Sequence, residues 1–408
     1  MKVVQINGVS SAGSTGKIVT QLSEVMCSEG IENYIISSGY RETAKKDNVY
    51  FCASYVGVRT HQILGSVLGN TGFHSWFATR KAIAILKKTK PDVVHLHNIY
   101  SYFLNVEMLL NYLKKQGIAT IWTIHDFWAV TGHCTHFEVA GCYRWKEACG
   151  NCCQLRKFPY SRFFDRSASL LKKKRALYEG WKDLHIATVS RWVANYLPES
   201  ILKGKEIRVI PNGIDTSVFQ PLKVEKLPEF RDKFVILSVA MSWGPNKGLD
   251  DLIALAGKLD QDACMVIIGL PEDEIAKLPA NVKGITRTKN ADELCAYYNM
   301  ADVYVSASTE ETMGLTVVEA MACGTPAVVY NKTALPELIV DGCGYICGEK
   351  SVDALYAAIQ QVREQGKAYY AENCVKHATE NYDKWKQYRK YCDYYRDILE
   401  IKDEKKPE

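Results

Sequence analysis

Short apolar runs alternate with longer amphipathic stretches from the first residue, the pattern of a parallel sheet wrapped by helices. Val3–Ile6, Tyr34–Ser37, Val93–His97, Ile121–Ile124 and Ile186–Val189 read as strands, with helical patterns such as Ile18–Cys27 and Phe77–Lys88 between them. After Pro211–Phe219 the pattern starts again. Val235–Val239, Met265–Ile268, Val303–Val305 and Ala327–Tyr330 form a second strand set, with Leu249–Leu259, Ala291–Met300 and Leu315–Cys323 as its helices. The expected fold class is therefore α/β, two doubly wound halves: residues 1–218 and residues 219–378. Thr379–Ile401 reads as a final helix returning to the first half, so that 379–408 packs back on it, and Lys402–Glu408 as a solvated tail.

Composition narrows the class. The 408 residues carry a net charge of only +5, too little for a general nucleic-acid binder, so no nucleic-acid partner is expected. At 47% hydrophobic and 24% charged the chain is ordinary and globular. Fourteen cysteines spread over this length, behind an opening MKVVQINGVS without an apolar signal core, point to a reducing, cytoplasmic compartment. No stretch approaches a membrane-spanning length, so any membrane contact is expected to be peripheral.

In parallel sheets, ligands sit outside the carboxyl ends of the strands. The first strand runs into a small-residue loop, Asn7 to Lys17, that opens a helix and suits a phosphate or a tight turn equally. It is not a Walker loop, because Ser11 stands at the leading Gly position and Ile18 follows Gly16-Lys17. Two further strands end in histidine: His97, followed by Asn98, and His125, followed by Asp126. Alternation places His95 on the side of His97, farther from the strand end. In the second half a strand feeds Ser306–Glu311, a helix starts near Gly314, Glu319 lies in its first turns and Gly324 closes it. Two carboxylates for sugar or ribose hydroxyls thus flank a helix start suited to a diphosphate; the plainer alternative is that both decorate an exposed helix start.

The spacing Glu311-x7-Glu319, with Gly314 between and the run Glu319–Pro326 following, resembles the signature of the retaining glycosyltransferases of family 4, which have the two-Rossmann GT-B fold. Further matches run in the family's order: Pro91–Asn98, Thr123–Asp126, Val189-Ser190, Ile210–Asp215 with Phe219, Lys247-Gly248 and Ala301–Val303. Asp126–Leu155 is similar, more narrowly, to the bacterial capsule and exopolysaccharide branch. The resemblance implies a transferase of the hexosyltransferase type, an acceptor domain followed by a donor domain, and a nucleotide-diphosphate sugar as donor. It also implies roles. Glu319 would hold the ribose, Glu311 with the backbone of Gly314 and Leu315 the donor sugar, and Lys247 the diphosphate. His125 would contact the transferred sugar, Gly13 to Gly16 would border the donor phosphates or the acceptor, and His97, Asn98 and Asp126 would lie on the acceptor side. This sequence departs from the family in one respect: no Arg precedes Lys247 in Ala240–Asn246.

Stabilising the leaving diphosphate is the main catalytic need, and no residue stands out as a covalent nucleophile, so front-face attack is expected. A metal-dependent GT-A enzyme would want Asp-x-Asp at a strand end; Asp260-Gln261-Asp262 precedes a strand instead, so no catalytic metal is expected. Cys134-x7-Cys142-x6-Cys149-x2-Cys152, beside Cys153, His133 and His136, suits either a structural zinc or packed thiols. Tyr160–Lys182 holds Arg162, Arg166, Lys172, Lys173, Lys174, Arg175 and Lys182 interleaved with Phe163, Phe164, Leu170, Leu171 and Trp181. That reads as a solvated helix with one apolar side or as a contact with anionic membrane, which would suit a lipid-linked acceptor at the inner face. The function expected is sugar transfer onto a surface glycan. Two other classes stay open: a nucleotide-sugar-binding protein without turnover, and a metal hydrolase on His95, His97, His125 and Asp126.

Overall fold

The apolar runs fold into two all-parallel sheets that share one winding. The structure is a computed structural model and describes residues 1–40 and 47–404. The first sheet comprises β1 (Lys2–Ile6), β2 (Glu32–Ser37), β3 (Val49–Phe51), β4 (Val93–Leu96), β5 (Ala119–Ile124), β6 (Leu184–Thr188) and β7 (Ile207–Val209), in the order β3-β2-β1-β4-β5-β6-β7. The second comprises β8 (Phe234–Val239), β9 (Ala263–Ile268), β10 (Val282–Ile285), β11 (Val303–Ser306), β12 (Ala327–Tyr330) and β13 (Gly344–Cys347), in the order β10-β9-β8-β11-β12-β13. Each winding reverses between its first and fourth strand, β1 beside β4 and β8 beside β11, and opens a crevice at their carboxyl ends.

Central strands such as β5 and β9 are buried along their whole length, which is why they read as continuous apolar runs. The edge strands β3, β7, β10 and β13 were not expected from the pattern. They are three or four residues long and partly exposed, so they carry no apolar run to read.

The expected final helix is interrupted. Thr379–Tyr382 ends the helix Lys367–Tyr382; Asp383 is extended, and the closing helix runs Lys384–Glu404. Asp383 Oδ1 accepts from the N–H groups of Trp385 and Lys386 at 3.0 and 3.1 Å, a cap that starts the new helix. Lys402 and Glu404 extend that helix, and 405–408 of the expected tail lie outside the described residues.

Two compact units result, Met1–Pro211 with Tyr388–Glu408 and Asn212–Gln387. The division falls at Pro211 instead of residue 218 because Ile214 exchanges backbone hydrogen bonds with Tyr382 and Lys384, which draws 212–218 into the second unit. From Tyr388 onward the closing helix belongs to the first unit. Tyr388, Tyr391, Tyr394, Tyr395 and Ile398 form its buried stripe, and Arg389 reaches Glu29 at 2.9 Å. Among the described residues no helix is long and apolar enough to cross a membrane.

Candidate functional site

The crevice of the first unit is built from polar residues set into apolar strands. Gln5 lies fully buried in β1. Its amide nitrogen donates to Val19 O at 3.0 Å, which turns its oxygen toward His97 Nε2, 3.2 Å away. His97 therefore carries its proton on Nε2, and His97 Nδ1 accepts from His125 Nε2 at 3.0 Å, so the network assigns the tautomer of both rings. The two imidazoles stack with centroids 5.3 Å apart. Burial lowers both rings, His97 well below the ordinary range and His125 to about 4, so they stay neutral at physiological pH. His97, Asn98, Tyr100, His125 and Asp126 line one pocket at the strand ends.

Asn98 and Asp126 are drawn partly into the framework. The Asn98 N–H donates to Asn7 Oδ1 at 3.1 Å. Asp126 accepts from the Tyr100 hydroxyl at 2.5 Å and from the Trp128 N–H at 2.9 Å, and burial raises its pKa against those bonds. His95 is a strut: Nδ1 meets the Tyr395 hydroxyl and Nε2 meets Thr123 Oγ1, each at 2.7 Å. With both nitrogens of His95 and of His97 engaged, the metal-hydrolase alternative loses its ligands. At the first loop, a Cβ on Gly16 would lie 2.9 Å from the Ser11 carbonyl carbon, so the tight turn itself demands this glycine. Gly13, at φ 69°, starts the helix Gly13–Ser28, whose first turn holds no acidic side chain.

The second unit brings its candidates together at the ends of β8 and β11. Gly248 has φ 74°, and a Cβ there would sit 2.2 Å from Ala307 O, so only glycine lets the two loops touch. The contact is sealed by the Thr309 N–H donating to Asn246 O at 2.9 Å. Lys247 Nζ then lies 2.5 Å from Glu311 Oε1, and both side chains are half-buried. Ser308 Oγ donates to the same oxygen at 3.0 Å, and the Glu311 N–H donates to Thr333 Oγ1 at 2.9 Å. Gly314, at φ 96°, caps the helix Leu315–Ala322, which starts without an acidic residue in its first turn. Glu319 Oε2 accepts from the buried Tyr298 hydroxyl at 2.9 Å. Lys247 and Glu311 thus form one pair, Gly314 opens the helix Leu315–Ala322 with N–H groups that suit an anion, and Tyr298 orients Glu319 on that same helix.

Gln5, Tyr298 and Ser308 were not singled out from the sequence. Gln5 left one signal, a polar residue inside an apolar strand run; Tyr298 and Ser308 left none.

Two further expectations change. Cys134, Cys142, Cys149 and Cys152 do line one pocket, together with His133 and Cys153. Yet among the described residues no group of three or more His, Cys, Asp or Glu is placed to hold a metal ion. The Gly132 N–H donates to Cys149 Sγ at 3.3 Å, and Arg144 spans the loop by donating to Gly150 O and Asn151 O. Cys142, Cys149 and Cys152 lie near enough to add to the burial that raises the Cys134 thiol, so the four cysteines form one cluster. The basic helix, Ser167–Tyr178, turns one of its cations inward. Lys174 is fully buried, donates to Trp128 O and Thr131 O and sits 3.3 Å over the Trp128 ring; burial lowers its pKa to about 7. Lys173 pairs with Glu107 at 2.7 Å and Arg175 donates to Glu147 O, while Lys172, Lys173 and Arg175 all stay exposed.

Two doubly wound units, each opening a crevice where its strand order reverses, have the architecture of a GT-B fold. The family description Glycosyltransferase Family 4 matches residues 15–218, and Glycosyl transferases group 1 matches residues 219–381. The chain belongs to the family 4 glycosyltransferases, and it is a transferase enzyme. Among its relatives is the putative colanic acid biosynthesis glycosyl transferase WcaC of Escherichia coli, 22% identical over 86% of this chain and 88% of that protein. Another is the alpha-monoglucosyldiacylglycerol synthase of Acholeplasma laidlawii, 26% identical over 66% of each. Of solved structures, sucrose-phosphate synthase from Thermosynechococcus elongatus aligns with TM-score 0.71 and 18% identity, covering 98% of this chain and 99% of that one. Anabaena HepE, solved with UDP-glucose, aligns with TM-score 0.62 and 14% identity over 97% and 99%. At these identities the structural likeness establishes the fold.

Proposed function

We propose that this enzyme moves one sugar, with retention of configuration, from a nucleoside-diphosphate sugar to a lipid-linked glycan during surface polysaccharide synthesis, on the cytoplasmic face of the membrane. The observation that best supports this reading is the Lys247–Glu311 pair, together with the helix Leu315–Ala322 that Gly314 opens and that carries Glu319. Lys247 and the helix N–H groups take the diphosphate, whose charge grows as the glycosidic bond breaks. Glu319 takes the ribose and Glu311 the sugar, while His125, Asn98 and the Gly13–Gly16 loop serve the transferred sugar and the acceptor. With no Arg beside it, Lys247 exchanges its Glu311 partner for phosphate when donor binds. A relative named for colanic acid synthesis and another named for glycosylating a diacylglycerol support the acceptor class. A neighbour solved with UDP-glucose supports the donor class, and fourteen unpaired thiols suit a reducing compartment.

A thermal-shift panel of nucleoside-diphosphate sugars, followed by donor turnover in wild type and Glu319→Ala, tests the proposal. One donor should raise the melting temperature with concentration, and Glu319→Ala should lose that response. A panel without any response counts against the donor assignment. Response without turnover in the presence of acceptor extracts favours the binding-protein alternative, which the Lys247–Glu311 pair keeps in view. A glycosyl-enzyme adduct in the intact mass would replace front-face attack with a covalent route.

A further inference from the structure

Among the described residues, nine of the nineteen exposed large apolar side chains fall in two short segments of the first unit, 55–77 and 158–164. Phe77 is 84% exposed, Val56 70%, Phe163 65% and Ile63 62%, with Trp76 and Phe164 about half exposed. Side chains of this size are rarely gathered so openly without a function.

The fold ties both segments to one place. The Arg162 N–H donates to Ser66 O at 2.6 Å and Arg166 Nε to Leu68 O at 2.8 Å, which fastens the 158–166 loop to the end of the helix Tyr55–Leu68. The helix Trp76–Thr89 starts beside the same helix, because His61 Nδ1 meets Ser75 Oγ at 2.8 Å while His61 Nε2 accepts from the Gly72 N–H at 3.0 Å. Ser75 adopts φ 61°, a left-handed turn that directs Trp76 and Phe77 outward from a fixed base. These aromatics are therefore held exposed by a rigid frame.

The charge around them is mostly of one sign, Glu107 being paired with Lys173 beside Phe73. No Asp or Glu occurs between Asn48 and Pro91, whereas Arg59, Arg80 and Lys81 do. Arg162 and Arg166 add two more cations, set over the rings of Phe163 and Phe164 at 5.3 and 5.6 Å. None of these five makes an ion pair among the described residues. The neighbouring acid, Asp165, is turned inward and accepts from the N–H groups of Cys152 and Ser167 and from Ser167 Oγ. Aromatics ringed by unpaired Arg and Lys match the boundary of an anionic bilayer, where rings enter the headgroup layer and cations meet lipid phosphates.

We infer that the surface formed by the Tyr55–Leu68 helix, Trp76–Phe77 and the 158–166 loop is the face by which this enzyme docks on an anionic phospholipid bilayer. It moves the centre of the expected basic stretch from Lys172–Arg175, where Lys174 is buried, to Arg162–Arg166 and the two helices beside it. The docking face also adjoins the strand-end pocket: Phe158 lies 6.2 Å, ring to ring, from Tyr100, a pocket-lining residue. A lipid-linked acceptor would thus be presented at the pocket's rim, a step that rests on the function proposed above; the docking itself does not.

The test is flotation of the full chain with phosphatidylcholine vesicles, with and without phosphatidylglycerol. Wild type should float only with the anionic vesicles and lose binding as salt rises. Arg80→Gln, Lys81→Gln and Arg162→Gln together should weaken binding by about fivefold for each charge removed. Phe77→Ser with Phe163→Ser should abolish flotation while the melting temperature holds, and Lys172→Gln should change nothing. Wild type that stays with the protein fraction in both vesicles overturns the inference, as does a Phe77→Ser, Phe163→Ser variant that floats normally. A wild-type dimer dissolved by those serines in sedimentation overturns it too, by assigning the face to a second copy of the chain. Flotation accompanied by equal transfer to water-soluble and lipid-linked acceptors supports the docking face and counts only against the acceptor assignment.

Discussion

The crevice beside β4 and the crevice beside β8 occupy equivalent places in two sheets of the same winding, yet they are built from opposite materials. In the first, neutral imidazoles are locked by hydrogen bonds from Gln5 through His97 to His125. In the second, a cation and a carboxylate face each other while still half exposed. A buried neutral network fixes direction at little electrostatic cost, which suits the discrimination of hydroxyl groups. A half-hydrated ion pair can trade one anion for another, which suits a substrate whose charge changes during reaction. Common topology therefore supplies the location, and the side chains divide the work.

The sharpest way to break this contrast is to remove the charge. Lys247→Ala should lower kcat by about 10²–10³-fold, the cost of deleting one preorganised donor to a developing anion. Lys247→Arg should recover part of the loss in the same steady-state assay. A Lys247→Ala enzyme with unchanged kcat would mean that the helix start alone stabilises the leaving group. Next in size, Glu319→Gln should weaken nucleotide binding about tenfold by calorimetry, since a charge-assisted bond becomes a neutral one. Tyr298→Phe should give a smaller change in the same direction, because its hydroxyl orients Glu319 without being charged.

Acid probes the other side of the comparison. His377 is the one histidine of the second unit; the remaining eight of nine lie in the first. His95, His97 and His125 are held neutral in the fold, whereas in the unfolded chain they take up protons near pH 6.5. The unfolded state then binds more protons between about pH 4 and 6.5, so stability rises with pH across that window and is lost as pH falls through it. Thermal unfolding followed from pH 7 down to 5 should show the first unit melting earlier while the second scarcely moves. His97→Gln should flatten that slope. Smallest of all, Tyr395→Phe should cost about 1 kcal/mol in chemical denaturation, the worth of one buried hydrogen bond.

How far the sequence discloses all this depends on what kind of pattern each feature leaves. Central strands and strand-end histidines announce themselves, because burial on both faces demands apolar runs and a polar residue at their end stands out. The Glu311 and Glu319 pair was equally visible through its spacing around Gly314. Edge strands are too short for a period, and the break at Asp383 looks like ordinary helical sequence until Ile214 supplies its partner. Lys174 hid in a run of basic residues. Its spacing from Leu170, Leu171, Leu177 and Tyr178 puts it on the apolar side of the helix, but only the Trp128 and Thr131 carbonyls explain how a lysine is tolerated there. The four cysteines show that spacing can disclose a cluster, since residues far apart along this loop line one pocket.

The closing helix also orders events in time. Synthesis completes residues 1–211 early, but the Tyr391 and Tyr395 hydroxyls that cover Thr123 and His95 come from the last helix of the chain. The second unit is one uninterrupted segment and can mature as soon as it leaves the ribosome. The first must wait, incomplete, for the final turns to arrive. The half of the enzyme that is made first is thus completed only after the second unit has been made.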